Sequence, residues 1–117
     1  MGGFCTEQKI KGILKLTRRN LLKLPKQTDR GTVSVGSHTV AIHGADMTKA
    51  GCFGCALDTP EPEIWIDTEA TPDQQARALV HELFEVTNNV YDLGMTETTI
   101  RILEQSVCQA FKGTILQ

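Results

Sequence analysis

Four side chains in the C-terminal half of the chain have types and spacings that could bind and use a metal ion: His81, Glu82, Glu85 and Glu104. His81 and Glu85 are four residues apart, so on an α-helix their side chains lie one above the other and could ligate the same ion. Glu82 would lie beside that ion, where a general base acting on a water molecule is needed. The alternative is a solvated polar face, which every amphipathic helix has and which a His-Glu pair at this spacing also stabilises.

Glu104 belongs to a second predicted helix and projects at the edge of its apolar face. That face consists of Ile100, Leu103, Val107, Ala110 and Phe111. A carboxylate in such a position is partly desolvated, which is costly unless the charge is paired or bound to a metal. Glu104 could instead reach solvent, or pair with Arg77 or Arg101. Because the preceding helix offers His81 and Glu85, we expect Glu104 to complete a three-ligand metal site.

Two helices must hold these residues. The first has Thr71 as its N-cap and Pro72 at its first helical position, runs to about Tyr91 and stops near Gly94. The second begins at Thr96 and is closed by Gly113. The side of the first helix expected to face the core carries Leu79, Val80, Leu83, Phe84, Val86, Val90 and Tyr91. We therefore expect Tyr91 to contribute packing in the core or at the helix end rather than catalysis.

A small sheet should precede the helices. Residues 32–43 alternate apolar and polar side chains on both sides of a Gly-Ser pair, which predicts a β-hairpin. Residues 52–57 and 63–67 predict two further short strands. Strands followed by helices indicate an α+β domain, with the two helices packed on a short antiparallel or mixed sheet. We assign this domain to residues 32–117, after an N-terminal basic helical segment and linker at 1–31.

The composition is that of one globular domain of 117 residues. The formal net charge of −2 favours no nucleic-acid partner, although the basic residues between 9 and 26 are of the kind that a nucleic-acid binder uses. No apolar run reaches the ~18 residues of a membrane span, so no membrane partner is expected. No secretory signal begins the chain, and we expect a cytoplasmic protein with reduced thiols. Cys52 and Cys55 form an isolated C-x-x-C pair, which we interpret as buried thiols rather than a zinc or redox site.

Residues 63–111 contain, in order, a short strand ending in Asp, a glutamine-rich approach, the His-Glu helix, a Tyr-Asp-Leu-Gly turn and a helix with an inward Glu. In these features the segment resembles the small zincin-like proteins encoded by phages and prophages, which are distant relatives of the ImmA/IrrE-type metallopeptidases. The resemblance implies a zincin-like domain in which His81 is a metal ligand, Glu82 is the general base and Glu104 is the third ligand. It also implies a divalent metal, with zinc expected first and manganese or iron(II) as alternatives.

The sequence departs from the family pattern at Glu85, because the peptidase motif is His-Glu-x-x-His and this chain has His-Glu-Leu-Phe-Glu. One histidine and two carboxylates make a harder, more anionic site, at which manganese and iron(II) compete better with zinc. Glu82 favours a metal-dependent hydrolase of the metallopeptidase type, acting on a protein or peptide partner. Glu85 and the small size of the chain favour the alternative, a catalytically inactive zincin-fold binding or structural module of phage or prophage origin. The expected location is the cytoplasm of a bacterial host cell, or the virion.

Overall fold

The computed structural model describes the backbone of residues 4–6 and the complete residues 17–57 and 61–112. The strands are β1 (Phe4–Thr6), β2 (Thr28–Val35), β3 (His38–Ala45), β4 (Gly54–Leu57) and β5 (Glu63–Asp67). The helices are α1 (Arg18–Leu21), α2 (Pro72–Tyr91) and α3 (Glu97–Phe111), with one 3-10 turn at Thr48–Ala50. The predicted α+β class, a small sheet followed by two packed helices, is confirmed. Part of the basic helical segment predicted within residues 1–31 lies outside the described residues.

The sheet is mixed, and its strand order is β1-β4-β5-β3-β2. Strands β2 and β3 form the predicted antiparallel hairpin, β5 runs parallel to β3 and antiparallel to β4, and β1 runs parallel to β4 at the far edge. The hairpin is longer than the predicted 32–43, because β2 begins at Thr28 and β3 continues to Ala45. Strand β2 therefore starts before the domain boundary predicted after residue 31, and the two-part division of the chain stays a prediction.

Strand β5 is central to the sheet and all five of its residues are buried. Ile64 and Ile66 belong to an apolar cluster that α2 covers, whereas Trp65 belongs to a second cluster on the opposite face, which Leu21 of α1 covers. A strand that is covered on both faces needs apolar residues on both, which explains why this segment does not alternate in sequence. Among the described residues, no helix combines the length and apolar composition that a membrane crossing requires.

Helix α2 begins as the sequence predicts. Thr71 accepts a hydrogen bond from the backbone N–H of Gln74, and the Gln74 side chain accepts one from the backbone of Thr71, which completes a capping box. The helix ends after Tyr91 because Asp92 adopts the left-handed conformation with φ of 51°. The predicted end at about Tyr91 is therefore confirmed, and the left-handed residue that ends the helix is Asp92, since Asp and Asn tolerate this conformation better than most residues.

The cysteines of the C-x-x-C segment are buried, as predicted, within the cluster on the α1 face of the sheet. Cys52 is 4% exposed and Cys55 is 0% exposed. Cys52 is disulfide-bonded, while Cys55 and Cys108 are in the reduced form. The prediction that the thiols are reduced is therefore wrong for Cys52.

Candidate metal centre

The charged arc of α2 is buried as deeply as the apolar residues of the helix that pack on the sheet. The buried residues of α2 are Ala78, His81, Glu82, Glu85 and Val86. By contrast, Tyr91 is 55% exposed and packs at the helix end over the β2–β3 turn, where a Cβ on Gly36 would lie 2.7 Å from its hydroxyl oxygen. Helix α3 packs along α2, so the arc is enclosed between α3 and the sheet. Burying several ionisable groups together is costly, which makes this arc the strongest candidate for a functional site.

Three side chains converge within this enclosed region. The His81 Nε2 atom lies 3.1 Å from Glu97 Oε1 and 3.8 Å from Glu85 Oε2. One ligand atom from each residue can be chosen so that all three lie within 4.8 Å of one another. His81 is fully buried, and the side chains of Glu85 and Glu97 are 11% and 23% exposed. Ligand atoms about 2.0–2.2 Å from a common ion are spaced in this way, so the group could hold a divalent cation.

Glu97 was not among the ligands predicted from the sequence. It lies in the first turn of α3, where a carboxylate also interacts favourably with the positive end of the helix. Its placement depends on the turn between the helices. Asn88 accepts a 2.8 Å hydrogen bond from the backbone N–H of Met95 and donates one to the Met95 carbonyl. This pair of bonds joins the end of α2 to the approach to α3 and sets Glu97 opposite His81.

Glu104 lies at the other ring nitrogen of His81. Its Oε1 atom is 3.9 Å from His81 Nδ1, and its Oε2 atom accepts hydrogen bonds from Nε and Nη2 of Arg77 at 3.2 and 3.1 Å. The ion pair with Arg77 is one of the alternatives that the sequence left open, and the Glu104 side chain is only 2% exposed. The role of Glu104 as a metal ligand stays a prediction, since its nearest approach is to Nδ1 and not to the Nε2 side.

Glu82 is fully buried and faces strand β4. A Cβ on Gly54 would lie 3.2 Å from Glu82 Cγ and Oε2 and 3.3 Å from the Cβ of Ala78. The glycine therefore allows the backbone of β4 to approach α2 at the level of this carboxylate. Glu82 occupies the layer between helix and sheet, one residue along the helix from His81, and its role as general base stays a prediction.

Cys108 is a half-buried neighbour of this region, one helical turn beyond Glu104. Burial, and to a smaller extent the negative charge of Glu104, raise the pKa of the Cys108 thiol above its usual value. Thiolates bind metals and thiols do so poorly, so a raised pKa disfavours Cys108 as a ligand at neutral pH. The thiol is better described as part of the packing between the helices.

Comparison with known proteins identifies no relative of this chain. No family model matches the chain, and no match is found among the curated proteins or the solved structures. The resemblance to zincin-like phage proteins therefore stays an expectation, and the case for function depends on the geometry of the enclosed His-Glu cluster.

Proposed function

We propose that this chain is a metal-dependent hydrolase in which His81, Glu85 and Glu97 hold a divalent cation. The observation that carries this proposal is the convergence of one imidazole nitrogen and two carboxylates within 4.8 Å of one another in an enclosed part of the molecule. A solvated polar face would not explain the burial, because His81 is 0% and Glu85 is 8% exposed.

Electrostatics supports the same proposal. Glu85 and Glu97 both approach His81 Nε2, and Glu104 approaches the same ring from Nδ1. Carboxylates that share a poorly solvated region repel one another, because little water screens their charges. A divalent cation among them converts that repulsion into attraction, which is the usual reason for assembling carboxylates beside a buried histidine.

The proposed chemistry is hydrolysis of a peptide bond. A divalent cation in this place would act as a Lewis acid that acidifies water and polarises a carbonyl group. Glu82 would accept a proton from the attacking water at one carboxylate oxygen and deliver it to the departing amine. Its burial supports this role, since little bulk water surrounds the carboxylate and a proton held there stays close to the reacting groups.

The types of the three donor atoms influence which divalent metal the site would prefer. One imidazole and two carboxylates form a harder site than two imidazoles and one carboxylate, so manganese and iron(II) compete with zinc for it. Zinc remains our first expectation, because nitrogen and carboxylate oxygen donors from three protein residues are typical of catalytic zinc sites. The partner we propose is a protein or peptide substrate.

One observation favours a second function, a non-catalytic binding or structural module. His81 Nε2 already lies at hydrogen-bond distance, 3.1 Å, from Glu97 Oε1. Together with the bonds between Arg77 and Glu104, this contact could join α2 to α3 as a polar network that needs no cation. The two functions differ in metal content, which can be measured directly.

The test is the metal content of protein purified without chelator or affinity tag, measured by inductively coupled plasma mass spectrometry. We expect about one ion per chain in the wild type, and none in His81→Ala or Glu97→Gln, because each variant removes a donor. Glu69→Gln is the matched control, since Glu69 is exposed and pairs with Lys26 away from the cluster. A wild type that is folded and free of metal would overturn the hydrolase proposal and favour the module.

A further inference from the structure

We propose that Glu104 and Arg77 are positioning residues, which orient the His81 ring so that Nε2 faces the cation. This inference rests on the proposed metal site and goes beyond it, because it assigns a role to two residues that do not touch the ion. It also gives Glu104 a role different from the ligand role that the sequence predicts.

The two oxygens of Glu104 have different neighbours. Oε2 accepts both hydrogen bonds from Arg77, at 3.2 and 3.1 Å, while Oε1 lies 3.9 Å from His81 Nδ1. Neither of these contacts is on the Nε2 side of the ring, where Glu85 and Glu97 approach. A single ion at Nε2 would therefore take its carboxylates from Glu85 and Glu97 and leave Glu104 behind the ring.

A carboxylate behind the ring has a defined effect on a metal-ligating histidine. Neutral imidazole has one N–H, and the ligating nitrogen must be the one without it. An acceptor beside Nδ1 favours the tautomer with the proton on Nδ1, leaves the lone pair of Nε2 for the metal, and makes that nitrogen a stronger donor. The present separation is 3.9 Å, and it would have to shorten by about 1 Å for this hydrogen bond to form when the ion binds.

Arg77 offsets the cost of burying the Glu104 carboxylate beside His81. The Glu104 side chain is 2% exposed, whereas that of Arg77 is 42% exposed, so the guanidinium keeps much of its hydration while it neutralises the buried charge. Two of its nitrogens bond to one oxygen, which restrains the carboxylate and leaves the other oxygen directed at His81. Arg77 and His81 are one turn apart on α2, so both project toward α3.

Metal affinity and metal stoichiometry together test the proposal. Wild type and Glu104→Gln, as full chains, are titrated with Zn²⁺ in competition with a chromophoric chelator, and with Co²⁺ to record the ligand-field spectrum. We expect Glu104→Gln still to bind one ion at saturation, with the Co²⁺ spectrum retained but an affinity about 10- to 100-fold lower. Loss of the stoichiometric site in Glu104→Gln would show that Glu104 is itself a ligand, and wild-type affinity would show that it has no role; either result overturns the proposal.

Arg77 gives a second line of variants in case Glu104→Gln fails to fold. We expect Arg77→Gln to weaken Zn²⁺ binding in the same way, and Arg77→Lys to restore part of the loss, because a lysine still neutralises Glu104 but cannot bond to it through two nitrogens. Arg101→Gln is the matched control, since Arg101 is an exposed residue of α3. Equal affinities in Arg77→Gln and Arg101→Gln would overturn the role of Arg77. A wild type that binds no ion overturns the metal site as well, whereas a wild type that binds with unchanged variants overturns only the positioning pair.

Discussion

Among the described residues, glutamate, histidine and arginine are combined around a buried side chain on each face of the sheet. On the α1 face, Glu63 is 8% exposed and its two oxygens have separate partners. Arg18 Nε bonds to Oε2 at 2.7 Å, and Trp65 Nε1 bonds to Oε1 at 3.1 Å. His43 lies 3.8 Å from the same Oε1 and stacks near the Trp65 ring, with 4.5 Å between centroids.

On the α2 face the numbers of carboxylates and imidazoles are different. Three carboxylates, those of Glu85, Glu97 and Glu104, approach the single imidazole of His81. In the Glu63 cluster donors surround one carboxylate, and the arrangement is satisfied as it stands. In the His81 cluster three carboxylates approach one histidine and Arg77 bonds to Glu104, and a cation on the Nε2 side would stabilise this arrangement further. The comparison teaches that the direction of convergence, and not the presence of buried ionisable residues, separates a functional candidate from a structural ion pair.

The largest expected effect is on kcat, which should fall when Glu82 is substituted beside His81 and stay unchanged when Glu63 is substituted on the opposite face. Once hydrolysis of a peptide substrate is demonstrated, we expect Glu82→Gln to lower kcat by about 100- to 10,000-fold, because the amide cannot accept the proton of the attacking water. Glu63→Gln, on the opposite face, should leave kcat unchanged. Metal content measured in parallel should be equal in both variants, and a fully active Glu82→Gln enzyme would refute the proposed general base.

The effect of metal removal on stability should depend on His81 and not on His43. A chelator is expected to lower the free energy of unfolding of the wild type by about 2.7 kcal/mol relative to protein with free ion at 100 times its Kd. His43→Ala should keep this difference, while His81→Ala should lose it. Denaturant unfolding with and without Zn²⁺ measures the effect, and a chelator response that survives in His81→Ala would place the ion elsewhere.

The Glu63 cluster should matter for stability alone. We expect Glu63→Ala to lower the free energy of unfolding by about 1–3 kcal/mol, since the Trp65 N–H loses its acceptor in a buried place. Arg18 should contribute little to this loss, because its side chain is 55% exposed. The destabilisation should be the same with and without Zn²⁺ in urea titrations. A Zn²⁺-dependent loss would mean that the two clusters are coupled through the sheet.

An exposed carboxylate should give the smallest effect and serves as a reference for both clusters. Hydrogen bonds from the Thr48 side chain and backbone hold the pKa of Asp46 below its usual value. A depressed pKa contributes stability that is present above the unfolded-state value of about 4 and is lost as the pH falls through the folded-state value. Asp46→Asn should therefore show a slightly flatter loss of stability below about pH 4 in acid titrations followed by circular dichroism. An unchanged acid profile would contradict this.

Local signals in the sequence were sufficient for most of the fold. The Thr71-Pro72 start of α2, the Thr96 start of α3 and strand β5 all follow the prediction closely, because capping and strand patterns depend on neighbouring residues. Tyr91 is 55% exposed and packs at the end of α2, which is the helix-end alternative of the prediction and not the core one. Amphipathic patterning assigns charged residues to solvent, and it fails where a second helix and a sheet enclose the charged side.

The missed residue of the candidate site has a similar explanation. Glu104 is predicted from its position at the edge of the apolar face of α3 and from the partners that α2 offers, whereas Glu97 is identified only by aligning the two helices. Their connection at residues 92–96 is short, so α2 and α3 must run antiparallel as neighbours. In that alignment Glu97 falls opposite the His81–Glu85 turn and Glu104 falls opposite Arg77, as observed. Counting residues outward from the turn could have indicated both placements.

The three proposed donors lie within one uninterrupted stretch of chain, from His81 to Glu97, that contains the end of one helix, a turn and the start of the next. The proposed donors therefore belong to a helical hairpin, and the sheet covers them and brings Gly54 close to Glu82. Contacts that are close in sequence form early in folding, so the hairpin could assemble its donors before the sheet is complete. The same property makes the site portable. A designer could transplant this hairpin onto another scaffold, provided that the new scaffold covers the charged side of the first helix.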